Sequence, residues 1–115
     1  MSDGPDPADP VVPIGERSSK AIMNELAYVE FHLNDSRSKN FADVVSEAID
    51  SLSEDQPRDV LEGVSRDLGR VYHHLKDLRH DFYAMKVVRI VAILHRIING
   101  QAVPLRDVEE LEAVI

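Results

Sequence analysis

Between Arg58 and Asn99 the chain has no proline, and Leu61, Val64, Leu68, Val71, Leu75, Leu78, Phe82 and Met85 follow one another at alternating spacings of three and four. That is the a/d pattern of a heptad helix, whose apolar stripe must face another helix. Held for about three and a half heptads, it reads as helix; "VVRIVAIL" alone has the composition of a buried strand, but its neighbours are helical and no turn residues bound it. After Phe82 the pattern widens. Val87, Val88, Ile90, Val91, Ile93, Leu94, Ile97 and Ile98 go round the whole helix, and a helix apolar on every side belongs inside a core or an interface. Either one helix of about forty residues, ~60 Å long, runs through, or the chain breaks near His80–Asp81 with Asp81 capping a second helix. The change of buried face favours the break.

The flanking segments are helical as well. Ser18 or Ser19 suits the start of a first helix, in which Ile22, Leu26, Val29 and Leu33 form one stripe that Met23, Ala27 and Phe31 widen. Asn40 suits the start of a second, with Phe41, Val44, Val45, Ala48, Ile49 and Leu52 on a broad apolar face. Pro57 fits the first turn of the next helix. Asn99 and Gly100 form a stop, and Pro104 opens a short last helix with Val108, Leu111 and Val114 or Ile115 on one side. Residues 1–17 carry four prolines, two glycines and four acids and read as a flexible tail, in which only the apolar "VVPI" has anything to dock. The expected fold is therefore all-α: a tail over 1–17, then a single domain over 18–115 of four to five helices around the long heptad-patterned segment.

The chain has 115 residues, enough to bury one core without a metal or disulfide. It has no cysteine, which removes disulfides, thiolate metal sites and a cysteine nucleophile. Nothing in it is long and apolar enough to span a membrane. The acidic start has neither the basic nor the apolar region of a signal peptide, so a cytoplasmic location is expected. A net charge of −8 with 5% aromatics disfavours nucleic acid as a partner, since phosphate neutralisation dominates such binding, although a local cationic patch remains able to bind it.

The stretch "GRVYHHLKDLRHDFY", residues 69–83, holds three of the five histidines. In the heptad frame Val71, Leu75 and Leu78 point inward, while Arg66, His73 and His80 lie on the outermost stripe. His73, Asp77 and His80 at i, i+4 and i+7 have a spacing that suits a divalent cation; a solvated polar face is the simpler account of the same residues, so no metal site and no cofactor is assigned. "VYHHLKDLR" resembles the recognition helix of winged helix-turn-helix repressors of the ArsR type. The resemblance covers about nine residues and implies that Tyr72, His73, Lys76 and Arg79 approach DNA. The upstream "VLEGVSRDLGR" is two residues longer than that family's turn, and no hairpin for a wing follows. Arg66 and His73, six residues apart, resemble the Arg-x4–6-His motif of HEPN-type nucleases, small helical bundles that are usually dimers. That resemblance implies a histidine that moves protons and an arginine that stabilises phosphorane charge.

His32 and His95 read as boundary residues beside apolar stripes. There is no Gly-rich phosphate loop and no Ser/His/Asp arrangement, so no catalytic residue is assigned. Gly63 and Gly69 fall on outward positions, where they are either tolerated or admit a neighbouring backbone. The expected function is that of a non-enzymatic interaction or regulatory module, a homodimer sharing Leu75, Leu78, Phe82, Val88, Val91 and Ile98. A DNA-binding regulator using residues 70–79 is the second reading, and an RNase using Arg66 and His73 the third.

Overall fold

The structure is a computed structural model that describes residues 11–34 and 37–113. Among these it has β1 (Val11–Val12), α1 (Glu16–Asn34), α2 (Lys39–Leu52), β2 (Gln56–Pro57), α3 (Arg58–Asp77), α4 (Asp81–Ile98) and α5 (Leu105–Glu112). α1 to α4 form an up-down-up-down bundle. Ser19 near the start of α1 donates its hydroxyl hydrogen bond to the Leu52 carbonyl at the end of α2 (2.9 Å). Ser38, at the start of α2, meets His74 near the end of α3. α3 and α4 pack as an antiparallel hairpin, and Glu25 and His32 of α1 meet Lys86 and His80 at the start of α4, closing the ring. α5 lies over the groove between α1 and α4, filling it with Val108 and Leu111.

The expected core stripes are the observed ones in α1, α2 and α3. Ile22, Leu26, Val29 and Leu33, then Val45 and Leu52, then Leu61, Leu68, Val71 and Leu75 have no exposed surface. The ends differ from expectation. α1 starts at Glu16, before Ser18: the Gly15 carbonyl accepts the Ser19 N–H at 2.9 Å, and Ser19, already inside the helix, gives its hydroxyl to Leu52. Ser38, not Asn40, caps α2, its carbonyl accepting from Phe41 and Ala42 at 2.9 and 3.1 Å. Pro57 is the residue before α3, in extended conformation, because it pairs with the N-terminal arm first. Val11 and Val12 lie antiparallel to Pro57 and Gln56, and Ile14 is buried in the core. The "VVPI" arm is thus docked, and residues 11–17 of the expected tail are β1, a core residue and the first turn of α1; residues 1–10 lie outside the described residues.

The forty-residue segment is two helices. Arg79 has φ +60°. Its N–H bonds the Lys76 carbonyl at 3.0 Å and that of His80 bonds the Leu75 carbonyl at 2.9 Å, the two bonds of a Schellman stop with Arg79 in the position usually held by glycine. His80, not Asp81, is the residue before α4. The break lets α4 fold back on α3, so that its apolar surround is covered within one chain by α3, α1 and α5. It also shifts the helical phase. Leu78, Phe82 and Met85, which continue the stripe in the sequence, are 39, 50 and 50 % exposed, while Ala84, Val87, Ile90, Leu94 and Ile97 face inward. At the far end of α4, Gly100 (φ +69°) supplies the expected stop. Val114 and Ile115 lie outside the described residues. Among the described residues a Cβ at Gly63 or Gly69 would meet nothing within 4 Å, so no described segment packs close on either.

Candidate functional site

The polar stretch 69–83 divides among different tasks once folded. Tyr72 is half-buried against the core. His73 is exposed. His74 packs flat on Phe41, ring centroids 4.0 Å apart, and its Nε2 lies 2.6 Å from the Ser38 hydroxyl. Lys76 pairs with Asp81 at 3.2 Å. Arg79 forms the helix stop. His80 Nδ1 lies 2.8 Å from His32 Nε2, and His32 stacks on Tyr83 at 3.8 Å between centroids. Two of the seams at this end of the bundle, α2 to α3 and α1 to α4, are therefore bridged by histidines.

This placement bears on each site expectation. Tyr72, His73, Lys76 and Arg79 do not form a helix-turn-helix face: "VLEGVSRDLGR" is continuous helix within α3, with no turn before residue 70. His73, Asp77 and His80 are not gathered, since His80 turns to His32, and among the described residues no three His, Asp or Glu side chains converge on a point that would hold a metal. Arg66 and His73 are both exposed on α3, two turns or about 10 Å apart along its axis. Arg66 instead shares a groove of the α3–α4 hairpin with Ser65, Gly69 and His95. The six residues of the expected self-association surface are dispersed. Leu75 is wholly buried, Ile98 nearly so, Val88 and Val91 are half-buried, and Leu78 and Phe82 are exposed.

Of the six, Phe82 alone lies with the other exposed apolar side chains that cluster beside α5. Two clefts flank the end of α5 and meet at Glu25 and Leu111. One, of about 630 Å³, is walled by Tyr28 and Phe31 of α1. The other, of about 260 Å³, is walled by Phe82 and Met85 of α4. Tyr28 is 59 % and Phe31 76 % exposed. Between the clefts Glu25 and Lys86 form an ion pair, and Lys86 Nζ sits 4.9 Å over the Phe82 ring. Comparison of the chain with family models, curated proteins and solved structures gave no match.

Phe31 was legible as an outward residue. At 100° per residue it lies about 180° round the helix from Ile22, so it faces away from the core stripe and does not widen it. Tyr28 and Phe31, three apart, are a second stripe on α1. Nothing in the order of residues paired His32 with His80 or Glu25 with Lys86, which are 48 and 61 positions apart.

Proposed function

We propose that the chain is a non-enzymatic helical interaction module that pairs with a second copy of itself through the α1–α4 face carrying Tyr28, Phe31, Phe82 and Met85. The observation behind this reading is that four large apolar side chains, each at least half exposed, wall two adjoining clefts. Isolated exposed apolar residues are ordinary; a cluster with a polar rim is the mark of a contact surface. The rim carries both signs, with Arg89 and Glu110 lining the same cleft, so a two-fold pairing can match them crosswise. Of the self-association residues expected from the heptad pattern, Phe82 is in this set.

The test is the mass in solution at micromolar concentration, at low and at high salt. The expected result is twice the 12.9 kDa of the chain, with association strengthened by salt because two chains of charge −8 repel each other until screened. Phe31→Glu with Phe82→Glu should give a monomer of unchanged helicity. A wild-type monomer at every salt concentration overturns the reading. Binding to a nucleic acid duplex through residues 70–79 would have the opposite salt dependence.

A further inference from the structure

Ser65 stands inside α3 with 5 % of its surface exposed, and among the described residues its hydroxyl has no hydrogen-bond partner. Such a group costs stability, because it has left water without gaining a bond. Alanine in its place would remove that cost and suit a helix better. What Ser65 lines is a groove of about 540 Å³ between α3 and α4. Other donors in the groove are also unengaged. Among the described residues Arg66 makes no ion pair, and the His95 and Asn99 side chains make no hydrogen bond. The one carboxylate lining the groove, Glu62, is held by Arg58 at 3.6 Å. The carbonyl end of α4 lies here as well, but the carbonyls of His95, Arg96 and Ile97 already accept from the N–H groups of Asn99, Gln101 and Gly100. What is left is one unpaired guanidinium with a hydroxyl, an imidazole and an amide beside it, a set that fits an anion.

We infer that this groove binds a small phosphate monoester. Ser65 and Arg66 offer donors from α3, His95 and Asn99 from α4, so the ligand must present acceptors to both walls. A tetrahedral phosphate does so, whereas a planar carboxylate turns its two oxygens to one side. The guanidinium fork matches phosphate oxygens, and the hydroxyl, the amide and one ring N–H each add a donor. The groove has more room than a bare phosphate needs. Gly69, one turn beyond Ser65, leaves space in which an added Cβ would meet nothing within 4 Å among the described residues. Val91 and Ile98 give the groove an apolar floor, a surface for the carbon body of the ester. The chain's net charge of −8 opposes any anion, so the affinity rests on the donors of the groove and not on the field of the whole molecule. The groove shares no residue with the two clefts beside α5, and the inference is independent of whether two copies pair.

The experiment is an NMR titration of the full chain with phenyl phosphate, read at the backbone amides at neutral pH and fixed ionic strength. The expected result is saturable shifts confined to the two walls of the groove, with inorganic phosphate moving the same amides only at higher concentration. Arg66→Gln should weaken phenyl phosphate binding by about tenfold, the effect of losing one hydrogen bond to a charged group. Arg70→Gln removes an equal charge one turn away, at an arginine 4.0 Å from Asp67, and should change binding by less than about twofold, since exposed charges outside the groove are screened. Ser65→Ala should raise the thermal midpoint of the free protein and weaken the binding. Shifts that never saturate, equal losses in the two arginine variants, full affinity in Ser65→Ala, or inorganic phosphate binding as tightly as its phenyl ester would overturn the site.

Discussion

Glu25 and Lys86 form an ion pair across the seam between α1 and α4, with side chains only 9 and 14 % exposed. The pair stands where the two apolar clefts meet, so it ties together the helices that carry the exposed aromatic face. Breaking one side of a buried pair is expensive because the remaining charge has lost its water without keeping its partner. Glu25→Gln should therefore destabilise the fold by about 3 kcal/mol, the low end for such a change, since the ammonium is near the rim. Replacing both, Glu25→Leu with Lys86→Met, should restore most of the loss. Urea unfolding of the two variants checks this, and a single variant as stable as wild type would show that the pair holds nothing.

The break at Arg79 separates two leucines that the heptad pattern treats alike. Leu75 is wholly buried and Leu78 is 39 % exposed. Leu75→Ala should cost about 3 kcal/mol by transfer and cavity terms. Leu78→Ala should cost under ~1 kcal/mol. Equal losses in denaturant unfolding would mean that the heptad helix runs on unbroken.

Three positions in this hairpin favour stabilising substitutions. Arg79→Gly removes the steric cost of the left-handed conformation, which is roughly 1 kcal/mol for a residue with a Cβ. Gly63→Ala and Gly69→Ala should each add up to about 1 kcal/mol, because both positions are inside α3 with open space for a methyl group. All three should raise the unfolding midpoint, and a loss at Gly63 or Gly69 would reveal a close contact at that position.

Arg17 and Glu112 fasten α5 to α1 through two hydrogen bonds, Nε to Oε2 at 2.8 Å and Nη2 to Oε1 at 2.6 Å. The hydrogen bonds from Arg17, and then its charge, hold the Glu112 carboxyl below its ordinary range. A lowered carboxyl contributes stability that is present above its unfolded value of about 4.3 and is lost as pH falls through the lower folded value. Protection of the α5 amides against hydrogen exchange should therefore fall between pH 5 and pH 3 more steeply in the wild type than in Arg17→Gln. The same slope in both would show that other carboxylates control the docking of α5.

The helices and most of their buried faces were readable from periodicity, since Ile22 to Leu33 and Leu61 to Leu75 repeat at the helical period and are the observed core. The expected self-association set was not readable in the same way, because the stripe through Leu78, Phe82 and Met85 keeps its spacing in sequence while the chain turns back beneath it. The change of apolar face after Phe82 pointed to a break near His80–Asp81, but the three-and-four spacing runs on through the three non-helical residues 78–80, so it does not show that Leu78, Phe82 and Met85 leave the core, and the residue that makes the turn, Arg79, is not one that favours it.

What the sequence determined by itself is the helical class, the stop at Gly100, the start of α5 after Pro104 and the absence of thiol chemistry, all of which depend on local backbone preference or on composition. Only the tertiary structure decided that His32 meets His80, that Glu25 meets Lys86, that the "VVPI" arm pairs with Gln56 and Pro57, and that Phe31 and Phe82 wall clefts that adjoin at Glu25. Each of these joins residues more than forty positions apart. Their meeting depends on how whole helices pack, and helix packing buries the summed apolar area of the faces without regard to which polar side chains it brings together at the seams.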